Sequence, residues 1–307
     1  MSNILKKKPI AYLISIFCMF LWGSAFPTIK LTYGELNIGK GDYFSMIFVA
    51  GLRFFLAGVI VFILMLIFDN KSKIEFKIKF WKLLVLSLIV TTFGYLFFYI
   101  GTGNTSGMKS ALITSLSTFL VVIFSHYFLQ DERFNRYKFI AIILGILGVI
   151  ITNIDKEFNL IFTLTGEGFM LINSILNAMG TIYVKKYLNK VSPFVVSSSQ
   201  FLFGSIFLII IGYFGMPTNL VFTPKSVILI IYASLISSIA FTLWYFILKQ
   251  YKASEIAFLR LFIPFFGTFL SAIVLGENLS FSILIGLVFV ILGIIIINRN
   301  KTLIEKK

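Results

Sequence analysis

Ten long apolar runs, separated by short stretches that hold nearly all the charge, constrain this 307-residue chain more than any other feature. They cover residues 9–29, 44–68, 83–103, 110–129, 139–153, 168–184, 194–213, 226–248, 256–275 and 281–297. A helix needs about 20 apolar residues to cross a hydrocarbon core roughly 30 Å thick. Ten such spans use most of the chain and leave no room for a soluble domain. Apolar residues make up 59% and charged residues 13%, whereas soluble domains run at about 45–50% and 25%. The expected fold is therefore an all-α integral membrane bundle of ten transmembrane helices.

The net charge of +15 would point to nucleic acid in a soluble protein, but here the charges sit between apolar runs. With the N-terminus placed inside, the inner loops hold twenty of the 27 Lys and Arg residues and the outer loops five, with Arg53 and Arg260 left inside runs. That asymmetry is the signature of cytoplasmic loops. A multi-pass protein of the cytoplasmic (inner) cell membrane is expected, with both termini cytoplasmic, the lipid bilayer as its partner and no nucleic acid. Lys6, Lys7 and Lys8 precede a first run longer than the about 7–15 residues of a signal peptide, and no small-residue cleavage site follows, so an uncleaved first helix is expected. Cys18 is the single cysteine. It excludes an intrachain disulfide and a Cys-based zinc site, and neither a metal nor a cofactor is expected. No feature fixes the oligomeric state; a monomer would suffice.

The chain also repeats itself. When 107–152 is laid on 252–297, Glu132 falls on Glu277, and Ile146-Leu147-Gly148 on Ile291-Leu292-Gly293. Each repeat, 9–153 and 166–298, holds five spans, and an odd number inverts the second against the first. A linker is expected at 154–167. Inverted repeats related by an axis in the membrane plane are common among transporters, with the substrate site near the midplane between them.

Four motifs carry a family resemblance: Trp22-Gly23-Ser24-Ala25-Phe26, Leu52-Arg53-Phe54, Asp131-Glu132-Arg133, and Gly276-Glu277 after a run that bears Pro264. Together they resemble the drug/metabolite transporter superfamily and, within it, EamA-type permeases with two EamA repeats. The resemblance implies a central cavity lined mainly by helices 1, 3, 4, 6, 8 and 9, and export of amino acids, metabolites or toxic analogues. Two positions depart from it. Phe119 stands where the second half has Pro264, so helix 4 should be less kinked than helix 9. Arg260 stands where a small or apolar residue is expected.

Charges at bilayer depth are costly and mark function by default. Arg53 lies about nine residues, or roughly 13 Å, into its run; it could bond carbonyls or a helix end within the bundle, or meet substrate. Arg260, roughly 7 Å from the inner end of its run, could snorkel or hold a substrate carboxylate, and the repeat sets Ser115 opposite it. Thr91, Tyr95 and Tyr99 recur every four residues, as do Asn173, Asn177 and Thr181, so each set shares a helix face. Either stripe could line a cavity or join helices. Trp22, Trp244 and Tyr245 are further cavity candidates, whereas Trp81 beside Lys82 reads as an interfacial anchor. Glu132 and Glu277, followed by Asn135 and Ser280, are expected to stabilise the starts of helices 5 and 10. His126 reads as a packed or interfacial side chain. Proton coupling would have only Glu255 and His126 to use.

A transporter of small metabolites working by alternating access, in the direction of export, is the function these features favour. An integral-membrane enzyme acting on lipid-linked substrates would need acids, bases or metal ligands in a constellation, and one histidine with carboxylates at helix ends offers none. A non-transporting receptor or assembly partner is the other alternative, since fold does not fix function.

Overall fold

The computed structural model describes residues 7–105, 107–130, 132–152, 162–217, 220–276 and 281–304. These form ten long helical stretches, α1 (Lys8–Glu35), α2 (Tyr43–Phe68), α3 (Phe80–Asn104), α4 (Gly107–Phe128), α5 (Arg136–Thr152), α6 (164–188), α7 (Pro193–Gly215), α8 (Pro224–Gln250), α9 (Ala253–Leu275) and α10 (Phe281–Ile304), with a short helical segment at 70–78 between α2 and α3. Local signals place several starts. Pro193 and Pro224 open α7 and α8, where a missing N–H costs nothing. Asp42 accepts the Ser45 N–H ahead of α2, and Thr223 and Ser226 form a reciprocal capping box at α8.

Six helices, α1, α2, α3, α7, α8 and α9, are long and apolar enough to cross a membrane among the described residues, against the ten expected from the apolar runs. The 17 residues of α5 reach about 26 Å. The side chains of α4 are described in full only from Ile113 to Phe128 and those of α10 only in part, and α6 interrupts its apolar run with polar residues and π-helical ends. The expected linker 154–167 is also shortened: 164–168 already turns as π-helix into α6, while 153–161 lie outside the described residues.

The pairing of helices is unchanged when the first five are exchanged for the last five. α2 packs most extensively on α7 and α5 on α10; α1 on α9 has its counterpart in α4 on α6, and α1 on α8 in α3 on α6. Two of the self-matched seams, α2 on α7 and α5 on α10, run antiparallel. Along α2 and α7, Gly51 meets Ile209, Gly58 meets Leu202 and Phe48 meets Gly212; a Cβ on any of these glycines would lie 2.5 to 2.9 Å from a backbone nitrogen across the seam. Small residues here let two backbones approach as membrane helices do. Along α5 and α10, Gly148 meets Gly286 and Gly293 meets Ala141.

Matching lysines tie the ends of the two halves. Lys30 Nζ on α1 donates to the carbonyls of Thr102 (2.9 Å) and Thr105 (3.2 Å) at the end of α3. Lys185 Nζ on α6 donates to Leu248 (2.8 Å) and Tyr251 (2.7 Å) at the end of α8. Each satisfies carbonyls that a helix C-terminus otherwise leaves without partners.

Candidate site at the crossing of the halves

Pro264 sets the local geometry of α9. It has no N–H to give the carbonyl of Arg260 four residues earlier, and the stretch Ala257–Leu261 tightens into 3-10 helix between two α-helical pieces. On the other half α4, with Phe119 at the matching position, is one continuous α-helix, in keeping with the contrast between the two sequences. Because α9 begins at Ala253, three residues ahead of the apolar run, and the 3-10 turn adds about 2 Å of rise, Arg260 lies about 12 Å from the start of the helix.

Arg260 does not snorkel. It is buried, its Nη2 donates to Asn177 Oδ1 on α6 at 3.3 Å, and its guanidinium lies 5.7 Å from the Trp22 ring centre on α1. Its Nε has no hydrogen-bond partner, and no ion pair reaches it among the described residues. Trp22 in turn meets Phe241 (ring centres 4.9 Å apart) and Trp244 (5.7 Å) on α8. Phe241 also touches Tyr95, Phe201 and Tyr245. Tyr245 donates to the Gln200 side-chain oxygen on α7, leaving the amide nitrogen of Gln200 without a partner, as is Trp22 Nε1. Trp22, Tyr95 and Asn177 are half-buried around the buried Arg260, and this crossing of α1, α3, α6, α8 and α9 is termed the Arg260 recess.

Arg53 is a different case. Nε donates to the Ala233 carbonyl (3.0 Å), Nη1 to Tyr99 Oη (2.7 Å) and Nη2 to Ser237 Oγ (3.0 Å), while Ser234 Oγ donates back to the Arg53 carbonyl (2.9 Å). Every nitrogen is engaged, so Arg53 joins α2 to α3 and α8, one of the two roles open to it from the sequence. Beside it Thr28, Thr32, Tyr33 and Tyr99 help line a cavity with room for about one water.

The sequence stripes divide. Thr91 packs against Gly204 of α7, Tyr95 faces the aromatic group around Phe241, and Tyr99 serves Arg53. The π-helical turn Ser87–Gly94 lies within this stretch and shifts the phase of the helix face. Asn173 Nδ2 donates to the Gly94 carbonyl (2.8 Å), Asn177 reaches Arg260, and Thr181 bonds within its own helix. Ser115 is buried on α4 and is not among the groups bonded to Arg260. Trp81 is 75% exposed, as an interfacial anchor should be. His126 is exposed and accepts the Phe134 N–H at 3.1 Å, holding the turn after α4. Glu255 accepts from Tyr12 and pairs with Lys8 at 3.2 Å.

Glu132 overturns one expectation. Its position after α4 suggests a role at the start of α5; its oxygens instead accept the N–H groups of Ala253 and Ser254, each at 2.7 Å, at the start of α9. The start of α5 is capped by Asn135, whose Oδ1 accepts the Lys138 N–H. Glu277 and Ser280 lie outside the described residues. Gln200 and Phe241 are not among the residues that the sequence singles out, although the run Ser197-Ser198-Ser199-Gln200 inside an apolar span is a legible signal.

The model of the EamA-like transporter family matches the chain twice, over residues 9–154 and 164–299. The chain belongs to the EamA-like transporter family. It is thereby a member of the drug/metabolite transporter superfamily, a family of membrane transporters acting on small molecules. The uncharacterized transporter YetK of Bacillus subtilis is 26% identical over 99% of this chain and 90% of its own length. A Salmonella typhimurium relative named "Probable amino-acid metabolite efflux pump" is 25% identical over 92% of this chain and 93% of its own. A crystal structure 15% identical in sequence superposes with a TM-score of 0.76 over 94% of this chain and 96% of that one, a likeness of fold alone.

Proposed function

We propose that this EamA-family member is an alternating-access transporter that exports small metabolites across the cytoplasmic membrane. In this reading ten helices cross the bilayer as two inverted five-helix repeats, 9–153 and 166–298, with both termini cytoplasmic. The observation that carries it is the antiparallel packing of repeat-equivalent helices, α2 on α7 and α5 on α10. Equivalent helices that point in opposite directions are what an axis in the membrane plane produces, and such repeats can rock against each other around a fixed site. The Arg260 recess, where α1, α3 and α8 meet α6 and α9, stands at that crossing. Trp22, Tyr95, Asn173, Asn177, Trp244, Tyr245 and Arg260 are its proposed binding residues, with Ser115 on the facing half; Arg53 and Tyr99 support it from behind.

Export is favoured by the name of the Salmonella relative. The test is a reconstitution. Liposomes with the purified protein, loaded with a mixture of amino acids, nucleosides, amines and organic acids, should release a subset of solutes faster than empty liposomes do. Equal release of every solute would reject transport for these classes.

A further inference from the structure

Resting on the reading of this recess as the substrate site, we infer that it selects organic anions, a carboxylate on an apolar or aromatic body, and rejects amines. The two buried arginines differ in what satisfies them. Arg53 has all three nitrogens engaged by protein oxygens. Arg260, 7% exposed, has one bond to the neutral Asn177, a free Nε and no carboxylate among the described residues. A guanidinium held in a low-dielectric site without a counter-ion is costly unless an anion completes it. Its planar fork suits a carboxylate held by two parallel bonds.

Among the described residues no carboxylate is placed there for a cation to meet. None of the 12 Asp and Glu residues lies within an apolar run. The nearest in sequence, Glu255, is held by Lys8 and Tyr12 at the end of the bundle, and Glu132 is held by the start of α9. Arg53, the other Arg inside an apolar run, is positive as well. The wall beside the guanidinium is aromatic: Trp22, Phe241 and Trp244 are in edge contact around one corner, and Trp22 keeps an unpartnered N–H. A ligand that places its acid on Arg260 lays its body against these rings.

Thermal stability of the purified protein, read with benzoate, phenylacetate, benzylamine and benzyl alcohol, tests this, because a ligand bound to the native state raises the melting temperature. The two acids should stabilise the parent, and the amine and alcohol should not. Arg260→Gln should weaken the acids by about ten- to a hundredfold, the loss of a charge-assisted bond. Asn177→Asp is the sharper variant. It changes no side-chain length, supplies the missing carboxylate from within, and should abolish the acid effect. Stabilisation by benzylamine, or an acid effect undiminished in both Arg260→Gln and Asn177→Asp, would overturn the inference. The outcome is separable from transport. Acids that bind but do not cross liposome membranes would sink the transport reading alone, and movement of neutral or cationic solutes without any acid effect would sink the anion site alone.

Discussion

Glu132 and Ala253 lie 121 positions apart, yet the carboxylate of the first accepts the backbone N–H of the second at 2.7 Å. The second oxygen of Glu132 accepts the next N–H, of Ser254. An acid at the end of α4 therefore neutralises the N-terminus of α9, where unpartnered N–H groups and the helix dipole favour negative charge. Replacing it with alanine leaves both N–H groups buried without partners. Glu132→Ala should cost about 3 to 6 kcal/mol, the loss of two bonds to a charged group, and Glu132→Gln about half of that. Equal melting temperatures for the parent and the alanine variant would show that α9 starts independently of Glu132.

The two buried arginines should separate in stability measurements. Arg53→Leu strands Tyr99 Oη and two acceptors on α8, at about 1–3 kcal/mol for each unsatisfied group, and should lower the melting temperature sharply. Arg260→Gln removes a guanidinium with one weak bond and should leave stability close to that of the parent while impairing transport. Similar melting temperatures for both variants would contradict the division into a joining arginine and a binding one.

Pro264 offers a test of how the backbone aims Arg260. Pro264→Ala restores the N–H that can bond the Arg260 carbonyl, and an α-helical turn would rotate the side chain away from Asn177 and Trp22. Stability should hold or rise, and transport should fall at least tenfold. Unchanged transport would mean that the 3-10 turn has no part in positioning the guanidinium.

Glu167 stands just ahead of the apolar run 168–184 and accepts from Thr105 Oγ1 (2.6 Å), Thr163 N (2.9 Å) and Thr163 Oγ1 (2.8 Å). Burial alone would raise its pKa; the hydrogen bonds outweigh it and hold the carboxyl down at about 2. A depressed folded value means stability that is present above the unfolded value, about 4.3, and lost as pH falls towards 2. Glu167→Gln should be less stable than the parent at pH 7, and the gap should close between about pH 4 and pH 2. A gap that stays constant across that range would assign the effect to packing.

Apolar runs report burial directly, so the helices and their boundaries are legible in the sequence to within a few residues, and the repeat is visible in Glu132, Glu277 and the Ile-Leu-Gly triplets. The partner of Glu132 is not, because a cap from one half to the other leaves no local pattern in sequence. The π-helical turn at 87–94 and the 3-10 turn at 257–261 are also hidden, since a change of backbone phase has no composition of its own; Pro264 is the only clue to the second. Arg53 and Arg260 look alike as buried charges. What separates them is the number of oxygens within reach, and those come from other helices.

Inversion of the two halves, with equivalent loops facing opposite sides, is the feature on which the proposed transport cycle depends. The parent suits a labelling test because its single cysteine, Cys18, is buried. Cysteines placed one at a time at Lys73, Lys190 and Lys225 would be exposed to a membrane-impermeant thiol reagent in intact cells. Only the Lys225 variant should react, and the Lys73 and Lys190 variants should react once the membrane is opened. Labelling of the Lys73 or Lys190 variant from outside would contradict the topology and the inversion that rests on it.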